Sequence, residues 1–225
     1  MKTMLVKLLL AVTVVCMVIG TSVYFVQANE AKAVAIVVKT VGDTQAKQQK
    51  GWAKMAKGSK LFSGDEVQTK KDGYAAVMFL DDKSVVKVKP NSILKIQGTY
   101  EGKSISKQLV MDVGELFVKV SKQKGSFQVA TPTSVASVKG TEFWVMEKDG
   151  GTTIIGLEGI IELVNKATGQ TGTVGAGQTG KSSGAGVIVE ETKEGDIPDE
   201  GELKEEIRVR FKDADGNEKE VIIKY

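Results

Sequence analysis

Beyond residue 29 the sequence never sustains an apolar repeat of 3.6 residues over three turns, and this decides its fold class. Short β-branched and aromatic runs follow one another instead, separated by Gly, Asp, Asn and Ser, the residues that tight turns require. Val34 to Val38 is such a run, ending near Gly42. Tyr74 to Leu80 closes on Asp81-Asp82, and Ser84 to Lys89 alternates so that Lys87 and Lys89 share one face while Val86 and Val88 share the other. Ile93, Leu94 and Ile96 precede Gly98; Leu116–Val120, Phe127–Val129, Glu142–Met146, Thr153–Leu157 and Ile160–Val164 continue the series. The best helical candidate, Gln45 to Lys57, is polar and short. Pro90, Pro132 and Pro198 fall between runs, where a missing backbone donor does no harm. The pattern predicts an all-β body, a twisted stack of short strands in the manner of a wrapped sandwich or solenoid.

The N-terminus reads differently. Lys2 and Lys7 precede an uncharged stretch from Leu8 to Val26, expected to form one hydrophobic helix. A basic start held at the cytoplasmic face and an apolar segment that partitions into lipid make an export signal. Val26-Gln27-Ala28 suits cleavage before Asn29, and the stretch is also long enough to stay as an anchor in the inner membrane. Both readings put residues 29–225 outside the cytoplasm, periplasmic or secreted or tethered. Cys16 follows Val15 rather than a small residue, so lipidation is not expected.

Past that segment the chain has neither cysteine nor histidine. Disulfides, the usual zinc sites and Ser-His-Asp or Cys-His nucleophiles are thereby excluded. No metal or cofactor motif remains. Gly175 to Ser182 meets the GxxxxGKS spacing, but without the strand and helix a phosphate loop needs. Asp213-Ala214-Asp215-Gly216-Asn217 places its glycine fourth, where a calcium loop of the EF-hand kind needs it sixth. The remaining enzymatic route is carboxylate hydrolysis through Asp65, Asp81, Asp82, Asp112 or Glu142, which requires two of them held several ångströms apart.

Charge divides the chain. Residues 29–189 hold 22 basic and 15 acidic side chains, and residues 190–225 hold 7 and 13. Lys70, Lys71, Lys87, Lys89, Lys95, Lys119, Lys122 and Lys124 make the body basic. They are suited to anionic envelope polymer or a membrane surface, or simply to solvation. Nucleic acid is not expected where aromatic residues are only 6% of the chain. Gly169 to Gly186 is rich in Gly, Thr and Ser, and Glu190 to Glu206 is acidic. The end of the chain alternates as a hairpin: Ile207, Val209 and Phe211 against Arg208, Arg210 and Lys212, returning through Val221 and Ile223. An isolated hairpin is barely stable, so this one is expected to dock on the body or on another protein through Ile207, Val209, Phe211, Val221 and Ile223.

An ordered series of short motifs resembles the FecR domain family. It runs through Gly58, Leu61, Gly64-Asp65 and Thr69, then Pro90-Asn91-Ser92 with Leu94 and Ile96, then Gly114-Glu115-Leu116-Phe117-Val118. Thr131-Pro132 is followed by Gly140-Thr141-Glu142-Phe143, and Gly159 and Gly175-Ala176-Gly177-Gln178 close the series. Read physically, these are architectural. Gly64 would take a positive φ beside an amide-binding Asp65, Gly140 would let two backbones approach, and Thr141 would bond that backbone. The division drawn is 1–28 signal or anchor, 29–180 FecR-like β domain, 181–206 flexible acidic linker and 207–225 hairpin. The resemblance implies an extracytoplasmic sensing or scaffold module, without catalysis, that binds another cell-envelope protein. Well-known members relay a signal from an outer-membrane receptor to a cytoplasmic sigma factor through a cytoplasmic N-terminal region. Here Met1 to Lys7 alone would lie inside, so no direct sigma-factor contact is expected.

Overall fold

The computed structural model describes residues 32–121 and 125–199, together with the backbone of 206–212 and 218–224. The N-terminal apolar segment, Lys122, Lys124, the turn at Asp213–Asn217 and the side chains of Ile207, Val209, Phe211, Val221 and Ile223 lie outside the described part. Among the described residues every regular element is a strand, and no helix is long and apolar enough to cross a membrane.

In chain order the strands are β1 (Ala33–Val41), β2 (Thr44–Gln48), β3 (Gly51–Lys54), β4 (Lys60–Phe62), β5 (Glu66–Thr69), β6 (Tyr74–Phe79), β7 (Val85–Val88), β8 (Ile93–Glu101) and β9 (Ser104–Lys119). They continue as β10 (Phe127–Ala130), β11 (Ser134–Val138), β12 (Glu142–Lys148), β13 (Gly151–Glu158), β14 (Ile161–Asn165), β15 (Thr171–Val174), β16 (Gln178–Ser183) and β17 (Gly186–Glu191). The remaining pair, β18 (Glu206–Lys212) and β19 (Glu218–Lys224), forms a separate two-stranded sheet, with Ile207 opposite Ile223, Val209 opposite Val221 and Arg210 opposite Glu220.

Hydrogen bonding links the first 17 strands continuously, yet it resolves into two ladders that share β9. The front sheet runs β4-β1-β6-β7-β9-β12-β13-β16-β17. The back sheet runs β3-β2-β5-β8-β9-β10-β11-β14-β15. From β10 onward, hairpins alternate between the two: β10–β11 at the back, β12–β13 in front, β14–β15 at the back, β16–β17 in front. Every pairing is antiparallel except β9 with β10. That exception follows from β9 itself. Its first part, Ser104–Val113, pairs with β8 in the back sheet, and its last, Gly114–Lys119, pairs with β12 in the front. Returning to the back sheet beside the start of β9, the chain can only run parallel to it.

Gly114 is the residue at which β9 changes sheets. It has φ 118°, and a Cβ there would lie 2.5 Å from the Cα of Ser92. Ser92 holds the bend by accepting the Glu115 N–H at 3.0 Å, while its own N–H donates to Thr69 Oγ1 at 3.0 Å. Glycine thus serves two needs at once, backbone conformation and close approach.

Alternation sends every second side chain of both sheets into one shared core. Val37, Leu61, Phe79, Val86, Val118, Phe143 and Ile154 come from the front, and Val67, Leu94, Leu109, Phe127, Ile161 and Leu163 from the back. Phe79 and Phe127 meet across it edge to face, centroids 5.9 Å apart. Charge is buried inside as well. Lys107 on β9 donates to Asp81 at 2.8 Å, to Asp82 at 2.9 Å and to the Ile105 carbonyl at 3.1 Å, against the Phe79 ring. Burial alone would raise the Asp81 carboxyl; the Lys107 ammonium and the Ile105 N–H outweigh it and hold it below its ordinary value.

The body extends past residue 180, where the sequence places its boundary. β16 and β17 complete the front sheet through Glu191, so a stretch that reads as linker is partly strand. The reason lies in two glycines. A Cβ on Gly180 would come 2.5 Å from Val174 Cγ2, and one on Gly172 would come 2.6 Å from Val187 Cγ1. These glycines make room for valines of facing strands, and composition alone cannot tell that from flexibility. The same strand removes the GxxxxGKS reading. Lys181 and Ser182 lie within β16, and Lys181 pairs with Glu190 at 2.6 Å.

Candidate interaction surface

The back sheet turns a mostly polar face to solvent, interrupted by a small half-buried row of Val110, Val135 and Val164. Gln45, Lys47, Gln68, Lys95, Gln97, Ser106, Gln108, Gln128, Ser137 and Glu162 alternate with its core residues, and each is half-buried or exposed. This is how one side of an antiparallel sheet behaves when nothing lies over it.

The front sheet differs. Its outward positions are Ile36 and Val38 on β1, Tyr74, Ala76 and Met78 on β6, Lys87 on β7, Phe117 on β9, Trp144 and Met146 on β12, and Ile155 and Leu157 on β13. They form two apolar clusters separate from the core. Phe117 and Trp144 meet edge to face with centroids 5.1 Å apart. Trp144 is 0% exposed although it points away from the core, and its indole N–H has no hydrogen-bond partner among the described residues. Cations line the rings: Lys87 lies 4.8 Å over Phe117, Lys89 5.6 Å over Trp144 and Lys39 6.0 Å over Tyr74. Burial raises the nearby Glu115 carboxyl and Lys89 partly draws it down. The face opens toward both margins, where Val41 on β1 is 48% and Ile188 on β17 is 64% exposed.

The sequence anticipates the outward lysines of β7 but not the face around them. Phe127 and Phe143 point into the core, and Phe117 and Trp144 away from it.

The family-motif residues have structural partners. Gly64 has φ 97°, and Asp65 Oδ2 accepts the Phe62 N–H at 2.9 Å and the Gln48 amide at 2.7 Å. Pro90 and Ser92 shape the approach to the β9 bend. Thr131 Oγ1 accepts the Ser134 N–H at 3.0 Å in the β10–β11 turn that contains Pro132. A Cβ on Gly159 would lie 2.6 Å from Thr141 Cγ2 and 2.8 Å from the Gly140 carbonyl, so two crossovers between sheets touch here. Thr141 acts differently from expectation: its backbone carbonyl accepts from Val120, while its buried hydroxyl has no partner among the described residues. Phe143 is a core residue.

Four of the five carboxylates considered for hydrolysis are occupied in the same way, and the fifth, Asp112, is exposed on β9. Asp81 and Asp82 share Lys107, Asp65 closes its turn, and Glu142 pairs with Lys119. A buried carboxylate absent from the sequence reading, Glu147, accepts the Thr152 hydroxyl at 2.6 Å, and Thr152 in turn meets Thr131 and Thr133. Beside this cluster lies a surface cavity of about 240 Å³ lined by Pro132, Thr133, Asn165 and Lys166. Asn165 there is fully engaged, with Ser182 and Ser183 on its amide nitrogen and Ala167 and Thr168 on its oxygen.

The FecR protein family model matches residues 65–162, from the Asp65 turn to β14. Two crystal structures of a candidate anti-sigma factor from Parabacteroides distasonis are similar at 19% and 18% identity, each with a TM-score of 0.48 over 57% of this chain and 60% of that one. The chain thus spans less than two thirds of that protein's length. No curated protein matches it. The resemblance to the FecR family read from the ordered motifs is thus matched by the family model over residues 65–162.

Proposed function

We propose that this protein is an extracytoplasmic, non-enzymatic sensing or scaffold module that binds another protein of the cell envelope. The observation that carries this reading is the apolar, cation-lined outer face of the front sheet, which the fold does not need for its own core. The FecR family match supports a regulatory role, and the engagement of four of the five candidate carboxylates in turns and ion pairs favours binding over catalysis. The export segment at residues 1–28 supports the location. A photoreactive residue at Met146 in intact cells should give an adduct with one envelope protein that persists at high salt, since apolar burial is not screened. Absence of any such adduct, with only intramolecular products, contradicts the reading.

A second reading keeps the basic surface as a site for anionic polymer. The exposed Lys70, Lys71 and Lys95 favour it. Lys87 weakens it by lying buried over Phe117, and Lys119 by pairing with Glu142. Retention on anionic polymer that collapses as salt rises would select it.

A further inference from the structure

We infer that the outer face of the front sheet is the seat of the chain's own C-terminal hairpin, β18–β19, which lies across Phe117, Trp144 and Ile155 as a third layer. This goes beyond the proposed function and competes with it for the same face: with the hairpin seated there, an envelope partner reaches Phe117 and Trp144 only by displacing it.

The first ground is burial. In a two-layered body the outward residues of each sheet face water, as those of the back sheet do. Phe117, Trp144 and Ile155 are outward and yet at most 3% exposed. Aromatic area of this kind is buried only under another layer.

The second ground is where the chain goes. β17 ends at Glu191 on the edge of the front sheet, and Thr192 still touches that edge through Gly177 and Thr179. By Asp199 the chain has reached the middle of the sheet, where the Asp199 carbonyl accepts from Lys89 Nζ at 3.0 Å. The same ammonium lies over the Trp144 ring. The segment leaving Asp199 therefore starts beside Trp144. The seven residues to Glu206 reach at most about 25 Å at full extension, while neighbouring strands are about 4.8 Å apart. The face from β7 to β13 is within that reach.

The third ground is complementarity. The pairing of β18 with β19 sets Ile207 against Ile223 and Val209 against Val221. Strand alternation puts these residues and Phe211 at positions of one parity, with Arg208, Arg210, Lys212, Glu218 and Glu220 at the other. One side of the ribbon is apolar except for Lys219, opposite Phe211, and suits the Phe117–Trp144–Ile155 face; the charged side carries one apolar residue, Ile222, opposite Arg208. A two-stranded ribbon is marginal alone and gains stability from such a surface. The approach carries Glu200, Glu202, Glu205 and Glu206, complementary in charge to the Lys87 and Lys89 of this face.

The chain's two tryptophans make the test direct. In a Trp52→Phe background Trp144 is the sole indole reporter. The full chain should show blue-shifted Trp144 emission and weak acrylamide quenching, unchanged on dilution. Val209→Asp with Phe211→Asp should shift the emission to the red and raise the quenching constant several-fold, with the body's far-ultraviolet circular dichroism retained. Arg208→Ala with Arg210→Ala, at the opposite parity, should change neither. Unaltered quenching in the Asp variant overturns the inference. So does a quenching constant that rises on dilution of the parent, which would assign the cover to a second copy. Should the Asp variant lose its circular dichroism, the milder Val209→Ser with Phe211→Ser is read by the same two signals.

Discussion

The two outer faces of this β body are opposites. The back sheet shows glutamines, serines and lysines to solvent, while the front sheet carries Tyr74, Phe117, Trp144 and Ile155 in the equivalent alternation and buries them. Both sheets contribute equally to one core, so the core does not account for the difference. It teaches that the front sheet buries apolar area that the core between the sheets does not call for.

The comparison breaks if outward substitutions on the two sheets cost the same. Trp144→Ala on β12 should destabilise by about 3–5 kcal/mol, as for a buried aromatic, whereas Gln128→Ala on β10 should stay within about 0.5 kcal/mol; urea unfolding of both variants decides. Lys107→Met sharpens it by showing what interior charge does. Leaving Asp81 and Asp82 without their cation should cost about 3 kcal/mol. The pH dependence should also invert. With Lys107 present the Asp81 carboxyl titrates below the ordinary range near about 4, so its contribution is complete above that pH and drains as pH falls through the folded value. In Lys107→Met only backbone N–H groups still oppose burial, the largest influence on that carboxyl, so it should rise and acid should stabilise the variant; melting temperature against pH reads the sign.

A smaller effect tests the joint that makes the two sheets distinct. Gly114→Ala should cost about 1–3 kcal/mol from its positive φ, with further loss from collision with Ser92. Ser92→Gly should not restore it, because the conflict involves the Ser92 Cα. The least effect is expected at the open β17 margin of the front face, where Ile188→Thr should change stability by less than about 0.5 kcal/mol. A larger loss there, measured by thermal melting, would mean that the covered area extends to β17.

Much of this was legible in the sequence, for identifiable reasons. Runs such as Tyr74–Leu80 and Glu142–Met146 declare strands by composition and by the turns that bound them, and the FecR motifs mark the turns and crossovers. β2 and β3 escaped notice because Gln45, Lys47 and Gln48 carry little apolar signal, and the Gly51 hairpin joining them lacks one of the short turn signatures. The first part of β9, Ser104–Val113, alternates serine, lysine and glutamine with Ile105, Leu109 and Met111, and its buried Lys107 disguises the inward face. β16 and β17 hid behind glycines that fill space under valines. The front outer face was hidden for another reason. Whether Trp144 points into the core or away from it depends on the register of β12 against β9 and β13, and a single strand's sequence does not show which parity faces which neighbour.

The most direct measurement of the central claim is disulfide trapping in the full chain, with its single native cysteine, Cys16, replaced by serine. Met146→Cys, on the front face, is combined either with Val209→Cys or with Arg208→Cys, and each protein is oxidised at low concentration. The account predicts an intramolecular bond that forms readily with Val209→Cys and poorly with Arg208→Cys. Equal trapping of both, or bonds only between molecules, would contradict it.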